Sequence, residues 1–391
     1  MKVTQVIAPS RRIDSEGGIL ILPFKLYTYP IKSMREIPLT TAQVTPHGFP
    51  FDRRFMLFKV LPEGSQQPRR RMTVTNTPEM TLFRPRIDLR DGCDSAKGLL
   101  TVTYSPADGA ESQHISLPLV PDMSGLEIMD TALHASPTKA YNMGHRCNAW
   151  FSSCFGYEVI LAYLGPNLRP VRGNLSPKLA DGQGFSKNWL SSLVEMLPNY
   201  GTSRASGEEG ITFADMAPYL IVTEESRNEV STRLSEGMEV DMTKFRANIV
   251  VSGASTPYEE DYWAGLQIVP KGHNEHQMPN IELVLTQNCT RCVSLNIDYS
   301  TGKAGKGEAG SVLKKLMRDR RVDKSIKWSP VFGRYAFLNV GDGASRTIAV
   351  GDTVTVSKRN EERTGLGNLA LLLCLKDRAD GIVEWPGLGS G

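Results

Sequence analysis

Cysteine is scarce in this chain: there are six among 391 residues, irregularly spaced. That excludes a disulfide-stapled scaffold and points to a reducing compartment. Long apolar runs are missing as well. Those at Gly18–Phe24 and Leu369–Leu375 fall far short of the roughly 20 residues that a membrane helix needs. Met1–Gly18 mixes Arg11, Arg12, Asp14 and Glu16 and has no hydrophobic centre, so it does not read as a secretory signal. Its acidic residues also argue against a mitochondrial address, and a cytoplasmic protein is expected, with a peripheral mitochondrial one as the alternative. The formal net charge is only +3, which leaves no footprint for nucleic acid. No internal repeat is visible.

What the chain does have is many short strands. Leu20, Leu22, Phe24 and Leu26 alternate with their neighbours, a period of two. The run leads into Tyr29-Pro-Ile-Lys-Ser33, where Pro30 ends regular pairing. Another strand is expected at Arg54–Val60, headed by Asp52-Arg53-Arg54. Cys147, Trp150, Phe151, Cys154 and Phe155 share one helix face, closed by Gly156, so both cysteines read as core. A strand follows at Val159, Leu161 and Tyr163. Asn167–Asn188 is irregular and carries Arg169 and Arg172. A short helix is expected at Trp189–Val194, and the polar loop Gly201–Gly210 reads as a domain joint. Tyr219–Val222 reads as a strand, and Thr223 is placed to cap a helix that Gly237 ends. Asp298–Gly302 reads as a turn, Val312–Met317 as a helix, and Thr347–Val356 as a hairpin turning on Gly351-Asp352. Beyond Ser357 the pattern fails, and Lys358–Gly391 reads as a disordered tail. The balance is α+β and strand-rich, with barrel-like sheets in place of alternating βαβ units.

One stretch concentrates chemistry: Leu285-Thr-Gln-Asn-Cys-Thr-Arg-Cys-Val293, at the end of the alternating run Ile281, Leu283, Leu285. Arg291 stands between two thiols, and a guanidinium favours the thiolate, the form that binds a soft metal or attacks an electrophile. Several readings stay open on the residues alone. Cys289 and Cys292 could join His273 and His276 in a zinc site, although the order and spacing are unusual. A redox dithiol should open a helix, whereas Val293, Leu295 and Ile297 read as a continuing strand. Two ordinary core thiols are a third possibility. A c-type haem fails because Val293 follows the second cysteine. Gly302–Gly310 lacks the spacing of a P-loop and the βαβ setting of a dinucleotide fingerprint, so a hairpin loop is expected there. Lys32, Arg54, Arg246 and Asn248 each lie at an inferred strand end, where ligand contacts are commonly presented, and Lys and Arg suit phosphate and pterin carbonyl groups.

Taken together, several spaced motifs resemble the MOSC family, in particular its amidoxime-reducing branch. They are Leu26-Tyr-Thr-Tyr-Pro-Ile-Lys-Ser33, Phe51-Asp-Arg-Arg-Phe55, Asp215–Glu225, Lys244–Gly253, Asn288-Cys-Thr-Arg-Cys292 and Ser329-Pro-Val-Phe-Gly-Arg-Tyr335. The resemblance spans Leu20 to Ser357 in the right order. It implies an N-terminal β-barrel-like module over 20–165, a MOSC β-barrel domain with short helices over 190–357, and a tail over 358–391. It also implies a molybdenum cofactor, a molybdopterin whose metal takes the Cys292 thiolate. Lys32, Ser33, Arg54, Arg246, Asn248, Thr290 and Arg291 fall on its cofactor-binding positions. So do Met216 and Ala217, where relatives carry small hydroxyl residues, and Ala247 replaces a frequent proline. Asp215 falls beside the metal and is the carboxyl expected to act as general acid. The implied reaction is reduction of N-hydroxylated compounds, with electrons from cytochrome b5 and its NADH-dependent reductase. The alternative is a sulfur carrier or cofactor-handling protein with a persulfide on Cys292.

Overall fold

The structure is a computed structural model that describes residues 20–89, 98–134, 136–171, 210–271, 281–339 and 346–364. Its centre is an eight-stranded sheet, seven strands of which close on themselves. In spatial order they are Ile249–Ser252, Tyr219–Thr223, Val331–Leu338, Ile281–Thr290, Trp263–Val269, Thr353–Arg359 and Leu20–Thr28, and the last pairs back onto the first. Ile37–Leu39 hangs on Leu20–Thr28 as the eighth. Closure removes the free edges that an open sheet would expose. Tyr219–Thr223 and Ile249–Ser252 are parallel, so a crossover must join them; it holds the helix Glu224–Thr232 and the 3-10 turn Met242–Phe245.

The alternation read from the sequence is the alternation of barrel inside and outside. Tyr219, Ile221, Ile249, Val251, Ile281, Leu283 and Leu285 fill the barrel around the fully buried Trp263. Leu220, Val222, Val250 and Phe337 face outward, beneath the helices Glu224–Thr232 and Val312–Met317. Thr223 caps the first helix by accepting from Ser226 N at 3.2 Å.

The N-terminal module is a five-stranded sheet in the order Arg69–Arg71, Phe55–Val60, Val159–Tyr163, Ser136–Asn142, Ile128–Leu133. Its two edge strands are joined by guanidinium groups instead of backbone pairs. Arg69 Nη2 donates to Asp130 O at 2.8 Å and Arg71 Nη1 to Ala132 O at 3.3 Å. The helix His145–Phe155 buries Cys147 and Phe151 in this module's core and stops at Gly156, which takes the left-handed conformation with φ 75°. A three-stranded sheet, Phe83–Asp88, Leu99–Tyr104 and Gln113–Pro118, completes it.

The strand-rich α+β expectation is met, and three local readings are not. Leu20–Thr28, at the head of the expected N-terminal module, pairs with Ile37–Leu39 and also with the barrel strands Ile249–Ser252 and Thr353–Arg359. Arg346–Ala349 and Thr353–Arg359 do not form a hairpin: the first pairs with Thr41–Val44, the second with Trp263–Val269 and Leu20–Thr28. Asp352 explains this, because its carboxylate accepts from both Ala349 N and Lys271 N and ties the turn to a distant loop. Val293–Asn296 is a single 3-10 turn, and only Ile297–Asp298 returns to strand, pairing with Lys303–Ala304. The expected tail is ordered at its start. The strand runs on to Arg359, Arg363 Nε donates to Asp261 Oδ2 at 2.8 Å, and Thr364 Oγ1 accepts from Arg334. Arg172, the Trp189–Val194 helix, Gly201–Glu209, His273, His276 and the remainder of the tail lie outside the described residues.

Candidate active site

The strand Ile281–Thr290 does not reach its cysteines in register. Against Val331–Leu338 its pairing shifts between Leu285 and Gln287 and again between Asn288 and Thr290. Such bulges bend a strand and re-aim its side chains. Leu285 still points into the barrel, whereas Cys289 lies in the outer apolar cluster, 3% exposed. Arg334, fully buried, holds the bulged segment by donating to Leu285 O at 3.1 Å and Asn288 Oδ1 at 2.5 Å. The strand then ends, and Cys292 stands half-buried at the start of the 3-10 turn. Its sulfur lies 3.2 Å from Ser294 Oγ and 3.8 Å from Thr75 Oγ1, a residue of the N-terminal module.

Arg291 turns inward. Its Nη1 donates to Cys289 Sγ at 3.1 Å and its Nη2 to Phe245 O at 2.8 Å, with its guanidinium over the Phe245 ring. Phe245 itself stacks on Phe332 at 3.8 Å. The next residue, Arg246, adopts φ 55° and donates to Met34 O at 2.7 Å. Arg246 and Arg53 both stack on the ring of buried Tyr29, at 4.6 and 4.4 Å. Arg53 also donates to Asp52, to Asn248 Oδ1 at 3.0 Å and to Arg246 O at 2.9 Å. Asn248 is buried and spends its amide on Tyr27 O, so it braces this cluster.

The Tyr29–Met34 loop links these cations to a second group. Ser33 turns the chain with φ 71°, and buried Lys32 donates to Phe213 O at 2.9 Å and Asp215 Oδ1 at 2.5 Å. Burial pushes the Lys32 ammonium down to about 8, against the pull of Asp215. The Asp215 carboxyl is half exposed and also meets His134 Nε2 at 3.2 Å. Burial would raise its proton affinity, but Lys32 and His134 outweigh burial and hold it well below the usual carboxylate range. Tyr335 lies near both groups: burial, then its neighbours Cys289 and Asp215, push its hydroxyl far up.

The structure links Arg291, Arg246 and Asn248 in one cluster with Arg53 and Tyr29, and Lys32 with Asp215 beside Ser33 on the loop that follows Tyr29; Thr290 and Cys292 flank Arg291 in the chain, and Met216 and Ala217 are buried in the outer cluster. It does not join Arg54 to them. Phe55 points into the N-terminal core, so its neighbour on the extended chain points the other way. The Arg54 guanidinium donates to Gly165 O and lines a separate cavity of about 430 Å³ with Phe49, Phe51 and Tyr163. Arg53 stands in the cluster instead. Tyr29 and Arg53 lay inside the motifs already singled out, but Thr75, His134 and Arg169 carried no local signal. Among the described residues, no group of three or more His, Cys, Asp or Glu side chains could hold a metal by itself. Two buried donors in the cation cluster have no protein partner, Arg246 Nη2 and Arg291 Nε.

The MOSC N-terminal beta barrel domain matches residues 24–158, and the MOSC domain matches residues 208–355. The mitochondrial amidoxime-reducing component 1 of Mus musculus is 25% identical over 350 residues, covering 88% of this chain and 83% of that protein. The mitochondrial amidoxime reducing component 2 of Bos taurus is 33% identical over 342 residues, covering 85% and 84%. The molybdenum cofactor sulfurase of Emericella nidulans is 25% identical over 374 residues, covering 86% of this chain but 41% of its own length. Among the described residues, no helix is long and apolar enough to cross a membrane. With two domain matches in sequence order and relatives along most of its length, the chain belongs to the MOSC family.

Proposed function

We propose that this protein is a molybdenum-cofactor-dependent oxidoreductase that reduces N-hydroxylated, amidoxime-type compounds, with the Cys292 thiolate as the metal ligand. One observation carries the reading. A half-buried thiol at a bulged strand end directly follows Arg291, whose guanidinium bonds the Phe245 carbonyl beside Arg246 and keeps one buried N–H, Nε, unused. A buried donor without an acceptor is costly, and an anionic molybdopterin, rich in phosphate and carbonyl oxygens, is an acceptor of the right sign. The residues present therefore fit the group.

Breaking an N–O bond with release of water takes two electrons and two protons. When bound, the cofactor supplies the electron-pair exchange. The protein does the rest. Arg246, Arg291 and Lys32 hold the anionic part, and Ser33, Met216, Ala217, Asn248 and Thr290 shape its walls. Asp215, ionised at neutral pH, does not serve as the acid expected from the sequence. It holds Lys32, whose ammonium, depressed to about 8 by burial, can release a proton near neutral pH. Electrons arrive from a cytochrome b5 and its NADH-dependent reductase, and a mitochondrial location follows the relatives' names.

Purified protein should carry molybdenum in near-equal amount with chain and reduce benzamidoxime when electrons are supplied. Cys292→Ser should lose most of the metal and the activity. Equal molybdenum in both proteins would refute the ligand assignment. Cyanide-labile sulfur without metal would favour a persulfide carrier instead.

A further inference from the structure

His134 belongs to the N-terminal module, at the turn after Ile128–Leu133, and takes φ 51°, a conformation uncommon for a residue with a side chain. It nevertheless reaches the loop of the other half that carries Asp215. The contact has a backbone cause. Arg169, 1% exposed, donates its Nη1 to Leu133 O at 2.8 Å, its Nε to Thr212 O at 2.9 Å and its Nη2 to Ala214 O. One guanidinium therefore clamps the residue before His134 and the residue before Asp215. The two side chains meet because their backbones are fixed, and the meeting does not depend on two solvent-exposed rotamers coinciding. Lys32, Arg53 and Arg169 are cations that face the pair, and the Tyr335 hydroxyl also faces Asp215. Asp215 is thus the anion on which the Lys32 ammonium is seated, and His134 is its second support.

We propose that His134 is a positioning residue of the reaction site, supplied by the N-terminal module, which fixes the Asp215 carboxylate and through it the Lys32 ammonium. The proposal rests on the reading that this cleft performs the reduction, but the contact itself does not. It also gives the N-terminal module a direct part in the chemistry, beyond covering the barrel.

The first test needs neither cofactor nor substrate. In the full chain with ¹⁵N-labelled histidine, His134→Gln identifies the His134 imidazole signals among the six histidines. Asp215→Asn should move those signals and leave the other five in place. Unmoved signals would overturn the proposal even if the protein proves to be a molybdenum reductase. The second test is kinetic. His134→Leu should lower kcat roughly tenfold, the scale set by losing a partner that orients a functional group. It should also displace the alkaline limb of the pH profile while molybdenum content stays unchanged. His134→Gln, which can still donate to Asp215, should restore most of the rate. Equal loss in both variants, or a loss without any change in the pH profile, would assign His134 a merely structural role.

Discussion

Replacing Arg334 by methionine should cost about 3 kcal/mol of stability. The guanidinium is fully buried and donates to Trp263 O, Asp261 O, Leu285 O and Asn288 Oδ1, with Thr364 Oγ1 as a fifth acceptor. Methionine is unbranched and adaptable, so the cavity left behind is small. The loss is that of buried acceptors. Three main-chain carbonyls and one amide oxygen, at about 1–2 kcal/mol each, come to roughly 6 kcal/mol. Part of this is returned. Burial, partly offset by Asp261 and Glu260, drags the Arg334 proton affinity down to about 10, so removing the charge recovers on the order of 3 kcal/mol of net electrostatic cost. Spread over the unfolding entropy of a chain of 391 residues, the net should appear as a melting temperature lower by roughly 3–5 °C. Because Arg334 holds the bulge ahead of Cys289, the same variant should label faster at Cys292 with a maleimide, and amides 285–290 should exchange faster. A variant that melts within about 2 °C of the parent would refute the reasoning, since the guanidinium would then cost as much to bury as its bonds return.

Two further outcomes are expected. Glu260 is fully buried beside Asp261, and burial first, then that neighbour, raise its carboxyl from 4.5 to about 7. Between these values the folded chain keeps a proton that the unfolded chain has released, so stability should fall as pH rises through that window, by about 3 kcal/mol at most. Glu260→Gln should flatten this limb in urea titrations at pH 5 and pH 7.5, and an identical slope in both proteins would exclude Glu260 as its source. Gly333 has φ 84°, and a Cβ there would sit 2.6 Å from Val222 Cγ1 and 2.8 Å from Ile221 O. Gly333→Ala should therefore cost at least about 2 kcal/mol, and an unchanged melting temperature would show that the turn can relax.

What could be read in the sequence was what depends on near neighbours. The 147–155 face and its Gly156 stop, the Thr223 cap and the helix Val312–Met317 are set by residues three or four apart, and all formed. The alternation 281–285 likewise marked a barrel strand. Where pairing partners lie far away the sequence was silent or misleading. Val293, Leu295 and Ile297 satisfy a period of two, yet five residues are too few to separate a strand from a one-turn helix. Thr347–Val356 has the turn of a hairpin, but both strands find better partners near residues 41 and 263. Of Arg53 and Arg54, nothing local says which faces the cluster; that depends on Phe55 entering the N-terminal core. Thr75, His134 and Arg169 reach the site only through the packing of one module on the other. The cysteine motif and its cations were legible as a set, while the bulges that leave Cys289 buried and Cys292 half-buried were not.

The strand Leu20–Thr28 completes a barrel whose neighbouring strand ends near residue 359. As the chain is synthesised, residues 20–28 must wait for residues 353–359 before the ring can shut. The N-terminal module can assemble early, but the sheet that carries the thiol closes only after residue 359 has emerged. Such long-range pairing slows folding and leaves sticky edges open in the meantime. A shortened chain starting at residue 210 would lack one stave, so dissecting this protein into independent halves should yield an insoluble C-terminal piece.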